Sequence, residues 1–207
     1  MRPASLRRPR GRLALLPMAV TLAVGAGLSP APVRSQPSAE PVVTVINGCH
    51  LWPYAHCPGA DLRHADLVGK DLRGVNFSGA KLSRAQLRSA NLAGAKLDGA
   101  DLTGVHAYAL NAPGASFRGA TMIAANLEMG RFFRADMSGA DLSAANLEAA
   151  RMNLVWLVGA KLVGADLQET KFVGSNLQDA DLSGAVLRFT IFPDAHTQGC
   201  RGCPEGW

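Results

Sequence analysis

The sequence has no glycine-rich phosphate loop, no GxGxxG run and no GxSxG elbow. Common nucleotide-binding and α/β-hydrolase chemistries therefore lack their sequence elements. No cysteine stands between Cys57 and Cys200, so no disulfide framework runs through the middle of the chain. An excess of one charge is missing as well. The formal net charge is +5, yet Arg2, Arg7, Arg8, Arg10, Arg12 and Arg34 all precede residue 37. That leaves 15 of the 21 Lys and Arg against 16 Asp and Glu, and a near-neutral body offers no broad field to nucleic acid. The apolar run Leu13 to Leu28 has 16 residues broken by Pro17, Thr21 and glycine, short of the roughly 18–20 that span a bilayer.

With arginines before it and small residues and prolines after it, that run reads as a secretory signal peptide over 1–28. Cleavage falls after Ala26 or nearer Ala39, and an uncleaved anchor is the alternative. Arg7-Arg8 resembles a twin-arginine signal whose flanking residues match poorly. Residues 29–41, rich in Pro, Ser and Ala, have the composition of a disordered linker. Val42 to Ile46 reads as a short strand closed by Asn47-Gly48, a strong turn dipeptide. It forms part of an N-terminal cap over 42–59, laid across the open end of the domain that begins at Ala60.

What the chain has in abundance is a repeat of five, seen in Ala60-Asp61-Leu62-Arg63-His64, Ala100-Asp101-Leu102-Thr103-Gly104 and Ala180-Asp181-Leu182-Ser183-Gly184. Counting centres in steps of five from Leu62 reaches Phe192 without an insertion and gives 27 repeats. Five fits neither the helical period of 3.6 nor the strand period of 2, so each unit holds a short extended piece and a turn. The centre is Leu, Phe or Met with few exceptions, and a small residue, usually Ala, stands two before it. Those two point inward and three positions face solvent. A unit that cannot bury its own apolar face must stack on the next.

This grammar resembles the pentapeptide-repeat family, whose motif is A(D/N)LXX, across 60–192. The resemblance implies an all-β, right-handed quadrilateral β-helix with four repeats per square turn, hence roughly seven coils. Reading every twentieth residue then gives the column Asp61, Lys81, Asp101, Thr121, Asp141, Lys161, Asp181, where carboxylates mostly neighbour an ammonium. Ala107 and Ala112 stand at centres, but Val105 and Leu110 hold the small positions beside them, so large and small exchange places. Pro113-Gly114 is the expected bulge or bend, with the coil continuing through it.

At about 4.8 Å per strand the coil is roughly 30 Å long, too far for a disulfide from end to end. Cys49–Cys57 and Cys200–Cys203 are the expected pairs, each clamping one cap, with 193–207 as the C-terminal cap or tail. Two alternatives use the same residues. His50 and His56 beside Cys49 and Cys57 suggest a zinc site with a spacing unlike known fingers, and Cys200-Arg201-Gly202-Cys203 has redox spacing without the strand-then-helix setting. His64, His106 and His196 are isolated.

No catalytic, cofactor-binding or metal-binding set emerges, and no small-molecule substrate is expected. On the outward surface, apolar residues are not evenly spread. With four repeats per turn, Arg131, Phe133 and Arg134, then Arg151, Asn153 and Leu154, then Lys171 and Val173, share one face, and Trp156 and Val158 adjoin it. Arg with aromatics is the composition of binding hot spots. The expected function is a non-catalytic binding or scaffold protein of the bacterial cell envelope, periplasmic or secreted. Its partner is a protein or a second copy, with no nucleic acid and no membrane contact beyond the leader. The resemblance implies a second reading, since some pentapeptide-repeat proteins mimic DNA and bind DNA gyrase, giving quinolone resistance. A near-neutral surface and export both count against it. A plain spacer is the third reading. For the patch itself the alternative is a set of scattered exposed residues that Pro193 to Trp207 folds back to cover.

Overall fold

A five-residue repeat presents five backbone N–H donors, and a folded chain leaves almost none of them without an acceptor. In the computed structural model, which describes residues 44–204, the repeat around Leu102 shows where each goes. Asp101 N–H reaches back to Ala80 O at 2.9 Å, while Leu102 N–H and Gly104 N–H reach forward to Thr121 O and Ile123 O at 2.7 and 2.8 Å. Thr103 N–H meets the carboxylate of Asp101 itself at 3.0 Å, and Val105 N–H closes a turn on Leu102 O at 3.1 Å. The Asp or Asn before the centre is therefore an acceptor for the N–H two residues on, an Asx turn.

The fifth residue of each repeat turns the chain. Gly104 has φ 60°, and a turn in which only its third residue takes positive φ is type II, which glycine suits. Parallel bridges then pair residues twenty apart in unbroken series, from His56 with Asn76 to Asp181 with Arg201. Twenty residues hold four such turns, so each coil is four-sided. The expected leader 1–28 and linker 29–41 lie outside the described residues.

Centres and small residues fill the inside. Leu92, Leu142 and Leu182 are buried, as are Ala80, Ala85 and Ala140, and each Leu removed from water stabilises by roughly 1.5–3 kcal/mol. Around Ala107 and Ala112 the exchange of sizes is complete, with Val105 and Leu110 buried beside them. The bridges from Asn91 to Asn111 and from Asn111 to Arg131 pass through at the same offset, so Pro113-Gly114 makes no bulge in the pairing. One coil later the bias reverses. Phe132 is the centre and Gly130 the small residue, and a Cβ on Gly130 would lie 2.5 Å from the Phe132 ring and 2.8 Å from Leu127 O. Where Thr170, Ser175 and Thr190 take the small position they are buried, and their hydroxyls donate to the carbonyls of Leu147, Met152 and Leu167.

The register runs past both ends of 60–192. Cys57 is buried at a centre with Ala55 at the small position before it. Beyond Phe192, His196 and Arg201 are still bridged to the preceding coil. Strands β1 (Val45–Ile46) and β2 (Cys49–His50) form an antiparallel hairpin. Its Asn47 and Gly48 both have positive φ, at 49° and 78°, as a two-residue hairpin turn of type I′ requires. Asn47 Nδ2 donates to Asp61 O at 2.7 Å, and Lys70 Nζ donates to Thr44 Oγ1 at 2.9 Å. Asn47 thus supplies a donor that an earlier coil would otherwise give to the first one.

Two outcomes are expected from this packing. Gly130→Ala overfills its layer and lowers unfolding stability by about 1–3 kcal/mol. In urea denaturation, the double variant with Phe132→Leu loses less than the two single losses added. At the surface, Arg63 donates two hydrogen bonds to the Asp61 carboxylate, at 2.8 and 2.6 Å, and these hold its pKa at about 2 against an ordinary 3.8. A carboxylate lowered on folding contributes stability above its unfolded pKa and loses it as the pH falls from 3.8 through about 2. Arg63→Ala returns the Asp61 titration toward 3.8, read from its carboxyl carbon by NMR.

Candidate functional site

Because residue n lies beside residue n + 20, any preference at one position of the repeat becomes a column. The column before the centre on one side reads Asp71, Asn91, Asn111, Arg131, Arg151, Lys171, Ile191, bridged in that order. Its first members are of the Asx type the repeat prefers: Asp71 and Asn91 accept from the N–H two residues on, and Asn111, followed by Pro113, donates to Asn91 Oδ1 at 3.0 Å. From Arg131 on that type is abandoned, and three cations stand about 4.8 Å apart in successive strands. Like charges placed side by side destabilise a sheet. Among the described residues none of the three forms an ion pair with a carboxylate. The column through Asp61, Lys81 and Asp101 alternates instead, and it ends with Arg201 paired to Asp181 at 2.8 Å.

The ladder has two flanks. On the first, Phe133 and Trp156 are 46% and 56% exposed, and the Arg134 guanidinium lies 5.1 Å from the Phe133 ring centre. A hollow of about 290 Å³ opens between Arg131, Phe133, Arg151 and Asn153. Asn153 Oδ1 is buried there without a hydrogen-bond partner among the described residues. A second hollow, of about 440 Å³, lies between Arg134, Leu154, Trp156 and His196. Leu154 covers the backbone of Gly174, where a Cβ would come within 2.8 Å of its Cδ2. Val173 shares the column of Phe133 and Asn153, Val158 follows Trp156 two residues on, and both are half-buried. The nine residues expected at the surface thus fall on adjoining columns. Pro193 to Arg201 does not fold back over them, because Pro193 O accepts the Gly174 N–H at 2.9 Å and the bridges continue to Arg201.

The second flank has no counterpart among the residues expected from the sequence. A groove of about 670 Å³ runs between the ladder and the preceding turn, where Met129, Ala149, Glu169 and Phe189 stand. Phe189 is 67% exposed and carries Arg188 over its ring at 4.8 Å. The signal that could have found it is the turn position read at every twentieth residue.

The cysteines are joined as Cys49–Cys57 and Cys200–Cys203, with Cα atoms 5.5 and 5.7 Å apart. His50 stacks on Trp52 at 4.6 Å, and His56 Nδ1 lies 3.2 Å from Asn76 Nδ2. Among the described residues no group of three or more His, Cys, Asp or Glu is placed to hold a metal ion, and no helix is long and apolar enough to cross a membrane.

Four-sided coils stacked by parallel bridges, with a Leu-and-Ala interior, define a β-helical solenoid whose columns of side chains form its outer surface. The chain belongs to the pentapeptide repeat family, whose model matches as 8 copies over residues 55–92, 71–106, 85–122, 106–139, 114–153 and 157–188. That family implies a right-handed coil. Among solved structures, the chain is similar to HetL, a pentapeptide repeat protein involved in heterocyst differentiation regulation from the cyanobacterium Nostoc sp. strain PCC 7120. The two are 30% identical over 70% of this chain and 75% of that one, with a TM-score of 0.47. It is also similar to a trypsin-treated form of QnrB1, a plasmid-mediated fluoroquinolone resistance protein, at 22% identity over 72% and 82% of the two chains and a TM-score of 0.52. A third is a pentapeptide repeat protein of the Arabidopsis thaliana thylakoid lumen, at 31% identity over 59% and 71% and a TM-score of 0.42. No curated protein sequence matches the chain significantly.

If the cation ladder is kept at the expense of stability, relieving it should stabilise the coil. Arg151→Asn removes the middle charge and restores an Asx acceptor. It is expected to raise the thermal midpoint by about 1–3 °C, with a smaller gain at high salt.

Proposed function

We propose that this chain is a non-catalytic binding or scaffold protein of the bacterial cell envelope, exported to the periplasm or beyond, which docks a protein partner or a second copy on the face carrying the cation ladder. The observation behind the reading is that Arg131, Arg151 and Lys171 replace the repeat's own Asx acceptors in three successive coils, beside the exposed rings of Phe133 and Trp156. Arg134, Leu154, Val158 and Val173 complete the surface. A residue choice that costs local stability without a compensating internal contact points to a contact outside the chain. Roughly seven coils would hold that surface rigidly and need no catalytic group.

Export is supported by the arginine-led apolar run at 13–28 and by the use of all four cysteines in disulfides, which persist in oxidising compartments. The gyrase-mimic reading fits less well. Mimicry of phosphate rows calls for acidic columns, and the exposed ladder here is basic.

Pull-down of the tagged chain from the periplasmic fraction tests the reading. Capture of a partner, or self-association, is expected for the native sequence and is lost in Phe133→Asp and Trp156→Asp. If both variants retain every association, the face is not an interface. Intact mass of the chain from that fraction should fall short of the full translated mass by the leader, and reduction should add four hydrogens. A cytosolic chain with free thiols would overturn the envelope assignment.

A further inference from the structure

We propose that the groove on the second flank of the ladder binds an acidic polypeptide segment in extended conformation, laid along the coil axis. The inference rests on the reading of this chain as a binding protein and adds the chemistry of what it binds.

One wall of the groove breaks the residue rule of its position, and the other stands at a turn where, along the described chain, other residues occur about as often as glycine. One wall is the ladder, where the backbone favours Asp or Asn as an acceptor and Arg131, Arg151 and Lys171 stand instead. The other is the turn position, where the chain takes positive φ. Met129, Ala149, Glu169 and Phe189 occupy it at φ 56°, 54°, 56° and 59°. Side chains other than glycine are disfavoured there, bulky ones most of all. The turn at another corner keeps glycine in coil after coil, as Gly79, Gly99, Gly119, Gly139 and Gly159. A wall of cations in place of the Asx acceptors, facing the exposed side chains of Met129 and Phe189 across one groove, marks a surface shaped for a ligand.

The dimensions and chemistry favour a peptide. From the level of Asn111 to that of Ile191 the groove spans four coil rises, roughly 19 Å, which matches about six extended residues. Three cations that form no ion pair among the described residues line one side and attract carboxylates, which also relieve their mutual repulsion. Apolar contacts come from Met129, 48% exposed, and from Phe189. A bare polyanion gains nothing from those two side chains, and a negative charge at every step would meet Glu169. A segment alternating acidic with apolar residues uses both the charge and the apolar ends, and can place an apolar residue opposite Glu169.

Fluorescence anisotropy on the full chain tests this. The probe is a labelled short peptide alternating Glu with Leu, with the matching Lys-Leu peptide and inorganic polyphosphate as comparators. The Glu-Leu peptide is expected to bind, more weakly as salt is added. Arg151→Glu should weaken binding by about tenfold or more. Met129→Gly with Phe189→Gly, which also relieves two strained turns, should weaken it several-fold while thermal unfolding shows an intact coil. The proposal is overturned if the Glu-Leu peptide does not bind, if Arg151→Glu leaves binding unchanged, or if polyphosphate binds as well as the peptide. Trp156→Asp separates the two readings, because that residue lies off this groove. Unchanged peptide binding in that variant supports the groove, whether or not partner capture on the outer face survives. Partner capture that is lost in Trp156→Asp, together with absent peptide binding, overturns the groove alone.

Discussion

Among the described residues the backbone hydrogen bonds between coils recur at two offsets, nineteen and twenty-one residues, which together tie each residue to its counterpart twenty places on. Leu62 N–H meets Lys81 O at 2.8 Å, and Lys81 N–H meets Ala60 O at 2.9 Å. The same pair of bonds recurs up the coil. Their number scales with coil count, so stability accumulates from neighbour to neighbour rather than from one central core. The same lattice leaves a side chain little freedom to escape its neighbours. A buried residue must fit the layers above and below it, and a surface residue must tolerate the charge of the residues stacked against it.

The interior meets this demand by sharing volume between layers. Leu110 beside Ala112 and Gly130 beside Phe132 are opposite solutions in adjacent coils, and each keeps the layer filled at near-crystalline density. The surface meets it mostly by alternation, as in the Asp61 column. The ladder of Arg131, Arg151 and Lys171 is the exception, and it lies where the exposed Phe133 and Trp156 gather on one flank and Met129 and Phe189 on the other. Scaffold and surface thus follow different rules at the same backbone positions.

Much of this could be read before any coordinates. A strict period of five with Leu at the centre fixes which side chains point inward, and the exchange at Ala107 and Ala112 follows from Val105 and Leu110 alone. The cation column was visible once residues were read in twenties. The ends were harder, because Cys57 at a centre, like Thr197 and Gly202 beyond Phe192, carries no strongly apolar mark, although the register passes through all three. The pairing of Gly130 with Phe132 depends on where a ring lies in three dimensions, which a periodic pattern does not encode. The groove was missed for a related reason. Turn positions are usually scanned for the glycine they prefer, and here the information lies in Met129, Glu169 and Phe189, which are not glycine.

The fixed turn of the coil has a further consequence for how such a chain can change. Removing one whole coil shortens the stack and leaves every face composed as before. Inserting a single repeat is different: each Leu downstream still lands inside, but everything after the insertion rotates by a quarter turn. A ladder such as Arg131 to Lys171 could be swung to a new side of the molecule, or split between two sides, with no loss of packing. Length in units of five therefore governs the direction in which this surface points, separately from whether the protein folds.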